Sequence, residues 1–118
     1  MELNRITIMV RDIEKSIDFY TKIAGLEVQA KLEPPMGKIA FLSNSDDEIK
    51  LELVEFRGFE KVETKGLVLS FRVEGSLEEF YSIVINAGYQ PSDIFEMPPK
   101  PKHFKIKDPD GVLIEFSN

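Results

Sequence analysis

Residues 5–26 read RITIMVRDIEKSIDFYTKIAGL, and residues 68–89 read VLSFRVEGSLEEFYSIVINAGY. The first stretch opens on alternation: Ile6, Ile8 and Val10 fall on one side of an extended chain and Arg5, Thr7 and Met9 on the other, the period of a half-buried strand. Asp12 then stands where a helix N-cap belongs, Ile13, Ile17, Tyr20 and Ala24 recur at helical spacing, and Gly25 follows as a stop. The second stretch repeats the order. Leu67, Leu69, Phe71 and Val73 alternate with Val68, Ser70 and Arg72. Ser76 and Glu79 have the form of a capping box, Leu77, Phe80, Tyr81 and Val84 supply an apolar stripe, and Gly88 closes it.

The two stretches are related by a constant offset of 63 positions, which also pairs Val10 with Val73, Gly25 with Gly88, Pro35 with Pro98, Phe41 with Phe104, Asp47 with Asp110 and Glu52 with Glu115. After each helix come three shorter extended pieces: 27–32, 38–43 and 50–55 in the first half, then 92–97, 104–107 and 112–117 in the second. Turn-forming runs separate them, Pro34 to Gly37 and Asn44 to Asp47, then Pro98 to Pro101 and Asp108 to Gly111. The expected fold is α+β: two tandem βαβββ modules (about 1–56 and 66–118, with a charged linker at about 57–65) in one domain. Their strands are expected to form a curved sheet cup with the helices on its outer face.

Composition narrows the function classes. The chain of 118 residues carries 15 Lys plus Arg against 21 Asp plus Glu, a net charge of −6, which argues against binding a phosphate backbone through a basic face. With no cysteine, disulfides, thiolate nucleophiles and cysteine-ligated metals are excluded. A single histidine, His103, cannot build a His-rich centre. The apolar run Ile6 to Val10 is too short for a signal peptide or a membrane span, so the expectation is a cytoplasmic protein with no membrane partner.

If Ile6, Ile8, Val10, Leu51, Leu53, Ile114 and Phe116 face the helices, the other sheet face collects Arg5, Thr7, Glu52, Val68, Ser70, Arg72 and Glu115. A concave face with a few convergent polar groups is a ligand site by default. Glu52 and Glu115 hold equivalent places, as do Arg5 and Val68, so the duplication predicts that these four surround one centre. The plainer reading, carboxylates solvated on an outer face, stands beside it. His103 joins Lys105 on the cup side if Phe104 and Ile106 face the helices, whereas its neighbours Lys102 and Lys105 favour a surface position. The run Met97 to Lys102 reads as a rigid loop.

Residues 5–20, continuing to Gly25-Leu26, together with the run Asp108-Pro109-Asp110-Gly111-Val112-Leu113-Ile114-Glu115, resemble the opening and closing signatures of the glyoxalase, bleomycin-resistance and extradiol dioxygenase group, the vicinal oxygen chelate superfamily. The resemblance implies paired modules forming a cup and a homodimer. In metal-dependent members it places the ligands at positions matching Arg5, Glu52, Val68 and Glu115; the two carboxylates are present, but Arg and Val cannot donate a lone pair to a metal. The expected cofactor is therefore none, or a weakly held divalent metal on Glu52 and Glu115. The first functional expectation is a protein that binds a small polar or anionic organic molecule through Arg5, Thr7, Ser70, Arg72 and His103. The alternative is a lyase, isomerase or epimerase of the glyoxalase I type with Glu115 or Glu52 as general base. Ring-cleaving dioxygenation is disfavoured because its iron ligands are missing.

Overall fold

A computed structural model describes residues 1–118 as two compact units, Met1–Glu63 and Thr64–Asn118. In the first, β1 (Arg5–Met9), α1 (Ile13–Lys22), β2 (Glu27–Leu32), β3 (Gly37–Ser43) and β4 (Lys50–Phe56) give a four-stranded sheet in the order β1-β4-β3-β2. In the second, β5 (Val68–Arg72), α2 (Leu77–Asn86), β6 (His103–Lys107) and β7 (Leu113–Ser117) give a sheet in the order β5-β7-β6. The fold is the α+β arrangement of repeated modules expected from the sequence, with the strands divided into one sheet per module. The repeat is visible in the ladders: β1 runs parallel to β4 with Arg5 opposite Lys50, and β5 runs parallel to β7 with Val68 opposite Leu113, both shifted by the same offset.

The helices form where their caps and stripes place them. Asp12 accepts hydrogen bonds from the amides of Glu14 and Lys15 at 3.1 and 3.2 Å, and Glu55 of β4 accepts one more from Ile13 at 2.9 Å, which satisfies three of the free N–H groups at the start of α1. Ser76 accepts from the Glu79 amide at 3.2 Å and caps α2 in the same way. Both helices end at glycines with positive φ, Gly25 at 73° and Gly88 at 94°, a conformation that a side chain would disfavour.

α1 packs on β3 and β4, burying Ile13, Phe19 and Tyr20 with Val10, Leu42, Leu51 and Leu53. α2 is held by aromatic packing: Phe80 lies 4.8 Å from Phe116, and Tyr81 lies 5.0 Å from Phe104, both edge to face. The helix-facing strand residues are therefore the expected ones, apart from Leu67, which is exposed.

One expected strand is not formed. Residues 92–97 meet β6 through a single bridge, Phe95 opposite His103. The Ser92 amide donates to Lys105 O and the Phe95 amide to His103 O, so three steps on one chain oppose two on the other. The extra residue breaks the ladder, and the Lys105 amide turns to the Ser92 hydroxyl at 3.0 Å. β2 carries the corresponding irregularity between Val28 and Ala30, but its longer pairing with β3 survives it. The first part of the linker folds back on module one, where the Val62 amide donates to Met9 O at 2.8 Å.

Candidate functional site

Each module builds the same small unit on the sheet face opposite its helix. Thr7 stands opposite Glu52 in the β1–β4 register, and Ser70 stands opposite Glu115 in the β5–β7 register. Side chains of directly opposed residues share a face, so each hydroxyl reaches its carboxylate. Thr7 Oγ1 donates to Glu52 Oε1 at 2.6 Å, and Ser70 Oγ donates to Glu115 Oε1 at 3.0 Å.

The modules differ in the cation that answers the acid. In module one it is Arg5, whose Nε lies 3.8 Å from Glu52 Oε1 with about half of its side chain (51%) exposed. This is a loose contact to one oxygen, not the bidentate pair that an inward-pointing guanidinium would make. In module two it is Lys100, whose Nζ donates to Glu115 Oε2 at 2.7 Å while the carboxylate is only 9% exposed. Burial, the largest influence on Glu115, pushes its carboxyl up. The hydrogen bonds from Lys100 and Ser70, with the charges of Lys100 and His103, outweigh burial and hold it below the ordinary carboxylate value.

His103 is buried, 5% exposed, which corrects the surface position favoured from its lysine neighbours. Phe104 and Ile106 face the helix, so His103 lies on the Glu115 side of β6, with Nε2 4.0 Å from Glu115 Oε2. Its Nδ1 lies 2.8 Å from Pro101 O, and a carbonyl only accepts, so Nδ1 carries a proton and the second nitrogen is the one aimed at the carboxylate. Lys102, the neighbour that suggested a solvated segment, pairs with Glu78 on α2 and holds the Glu78 carboxyl below its usual value.

The remaining sequence candidates are more peripheral. Val68 lies two residues from Ser70 on the same side of β5 and is 37% exposed. Arg72 is exposed at the far end of β5, opposite Ser117, and makes no contact with Glu115. Lys100 was not among the candidates: the run containing it reads as a rigid loop, yet it supplies the ammonium closest to Glu115. The available signal was Lys100 and Lys102 standing together in an acidic chain immediately before the strand that carries the single histidine. Neither module brings three His, Asp or Glu side chains together as metal ligands.

This duplicated βαβ-type architecture, with an acid at the same register position of both closing strands, is that of a known superfamily. The chain belongs to the Glyoxalase/Bleomycin resistance protein/Dioxygenase superfamily, whose family model matches residues 2–116. Among curated relatives it is similar to the YwbC protein of Bacillus subtilis (strain 168), 31% identical over 114 residues covering 92% of this chain and 90% of the relative. Among solved structures it is similar to the trypanothione-dependent glyoxalase I of Leishmania major, with a TM-score of 0.79 and 25% identity over 100% of this chain and 86% of that one. It is also similar to TnmS3, an antibiotic-binding protein from Streptomyces sp. CB03234, with a TM-score of 0.78 and 20% identity over 99% and 94% of the two chains. No helix is long and apolar enough to cross a membrane.

Proposed function

We propose that the protein is a metal-independent member of its superfamily that binds a small polar or anionic organic molecule, with the Ser70–Glu115–Lys100–His103 cluster at the centre of recognition. The observation that carries this reading is the engagement of both oxygens of Glu115, one by Ser70 and the other by Lys100. A divalent cation placed on Oε2 would meet the lysine ammonium at close range, and like charges repel. The donor set does not fit a metal in either module: the position matching Glu115's partner ligand is Val68, and the one matching Glu52's is Arg5, whose guanidinium has no lone pair to give. Lys100 uses one N–H on Glu115 and is 47% exposed, so two donors remain for a ligand oxygen. The similarity to an antibiotic-binding protein agrees with recognition of a small organic molecule.

The alternative of a glyoxalase-type lyase or isomerase draws less support. A general base works best with a pKa near the working pH, whereas Glu115 is held below the ordinary carboxylate value and each of its oxygens already accepts a hydrogen bond. The family resemblance also implies a homodimer, which light scattering would register as twice the 13.5 kDa chain mass.

The test is a thermal-shift series with small carboxylates, sulfonates, phosphates and neutral aromatic alcohols, run beside a turnover assay with hemithioacetals. Stabilisation by anionic members, reduced in Lys100→Gln and accompanied by no turnover, is the expected result. Turnover that Glu115→Gln abolishes would establish the enzyme reading instead.

A further inference from the structure

Module two carries a second feature that the Glu115 cluster does not use. A surface groove of about 540 Å³ is lined by Tyr89 and Gln90 beyond the end of α2, Ser92 in the bulged segment, Lys105 and Lys107 of β6, and Leu113 of β7. None of Ser70, Lys100, His103 or Glu115 lines it.

Its two lysines are unusual in this chain. Lys105 stands directly opposite Glu115 in the β6–β7 register and would be that acid's natural cross-strand partner. Glu115 is instead taken by Lys100 at 2.7 Å from the loop, which leaves the Lys105 ammonium without an ion pair. Lys107 opposes Leu113, which has no charge to offer, and likewise forms no ion pair. Two uncompensated ammonium groups two residues apart on one strand point to the same side of the sheet, and in a protein of net charge −6 they make a local cationic site. Leu113 and the Tyr89 ring give the groove apolar wall, and the exposed Gln90 amide adds a neutral donor.

From this arrangement we infer that the groove is a binding site of its own for a small molecule carrying a carboxylate, sulfonate or phosphate on an apolar body. The lysines take the anionic group and the Tyr89–Leu113 wall takes the body. This inference is independent of the function proposed for the Glu115 cluster, and the two fail separately.

The test is a titration of the uniformly ¹⁵N-labelled full chain with benzenesulfonate, and in parallel with neutral benzenesulfonamide, followed by amide chemical shifts. Expected are saturable benzenesulfonate shifts centred on Gln90, Ser92, Lys105, Lys107 and Leu113, with benzenesulfonamide weaker by about tenfold or more, since a charge-assisted hydrogen bond is worth at least that factor. The double variant Lys105→Gln/Lys107→Gln should lose at least about tenfold in affinity with the rest of its spectrum unchanged. Lys107→Gln alone, a substitution at an exposed position that spares the fold, should lose part of that. Equal binding of the two probes, no saturable binding of benzenesulfonate, or full affinity in Lys107→Gln would overturn the inference. Shifts centred on Ser70, His103 and Glu115 would overturn it too, while supporting the function proposed for that cluster.

Discussion

Replacing Lys100 by methionine keeps most of the side chain's apolar length and removes the ammonium that sits 2.7 Å from Glu115 Oε2. A hydrogen bond to a charged group contributes about 1.5–3 kcal/mol, and water around a lysine that is 47% exposed screens part of it, so we expect Lys100→Met to cost about 1–2 kcal/mol near neutral pH. In a domain of this size that lowers the melting temperature by roughly 4–10 °C. The pH dependence identifies the mechanism. In the wild type the Glu115 carboxyl is held below its ordinary value, so the stability it contributes is present above the unfolded-state pKa and is lost as pH falls through the folded one. Without Lys100, burial pulls the carboxyl upward, and the ionised form at neutral pH becomes a burden that protonation relieves. The wild-type advantage should therefore be full near neutral pH and shrink as pH falls from the variant's raised carboxyl value through the wild type's lowered one, while the remaining acids titrate alike in both proteins and cancel. Urea unfolding of both proteins across this range measures the difference directly. A difference that is constant with pH would refute the ion-pair reasoning, and so would a Glu115 carboxyl whose ¹³C titration midpoint does not rise in the variant.

Four further substitutions test the packing that positions the site. Asp12→Ala removes the acceptor of two α1 amides and should cost about 1 kcal/mol in urea unfolding; Ser76→Ala, which frees one α2 amide, should cost less. Gly37→Ala would place a Cβ 1.9 Å from Glu55 O on the neighbouring strand, so the start of β3 must move from β4; a loss of about 3 kcal/mol or more is expected by chemical denaturation. Phe116→Ala empties a buried position in contact with Phe71, Phe80 and Phe104 and should cost about 3–5 kcal/mol, a value that denaturation would find far smaller if α2 were not anchored by this cluster.

Much of the fold was legible because strand alternation and the offset of 63 residues are written in nearest-neighbour pattern: β1 and β5 are related by that shift to the residue. The placement of Glu52 and Glu115 on the face of Thr7 and Ser70 follows from the same two-residue period. What failed was less local. The strand expected at 92–97 depends on matching a partner residue for residue, and one extra residue reduces it to a bridge. Burial of His103 was hidden by two flanking lysines that serve other ends: Lys102 reaches α2, and Lys105 lines the groove. Lys100 lies in a loop 15 positions from Glu115, and no periodicity reports where a loop directs an ammonium. Its role emerges only when the turn from Met97 to Lys100, closed by the Lys100 amide on Met97 O at 2.9 Å, is seen against β7.

The measurement that bears most directly on the proposed metal-independent site is equilibrium dialysis of the purified chain against nickel, zinc, manganese and iron(II), with elemental analysis of wild type and Lys100→Met. The expected result is no stoichiometric metal on the wild type, with any gain confined to the variant whose ammonium has been removed. One divalent ion held per wild-type chain and lost in Glu115→Gln would contradict it.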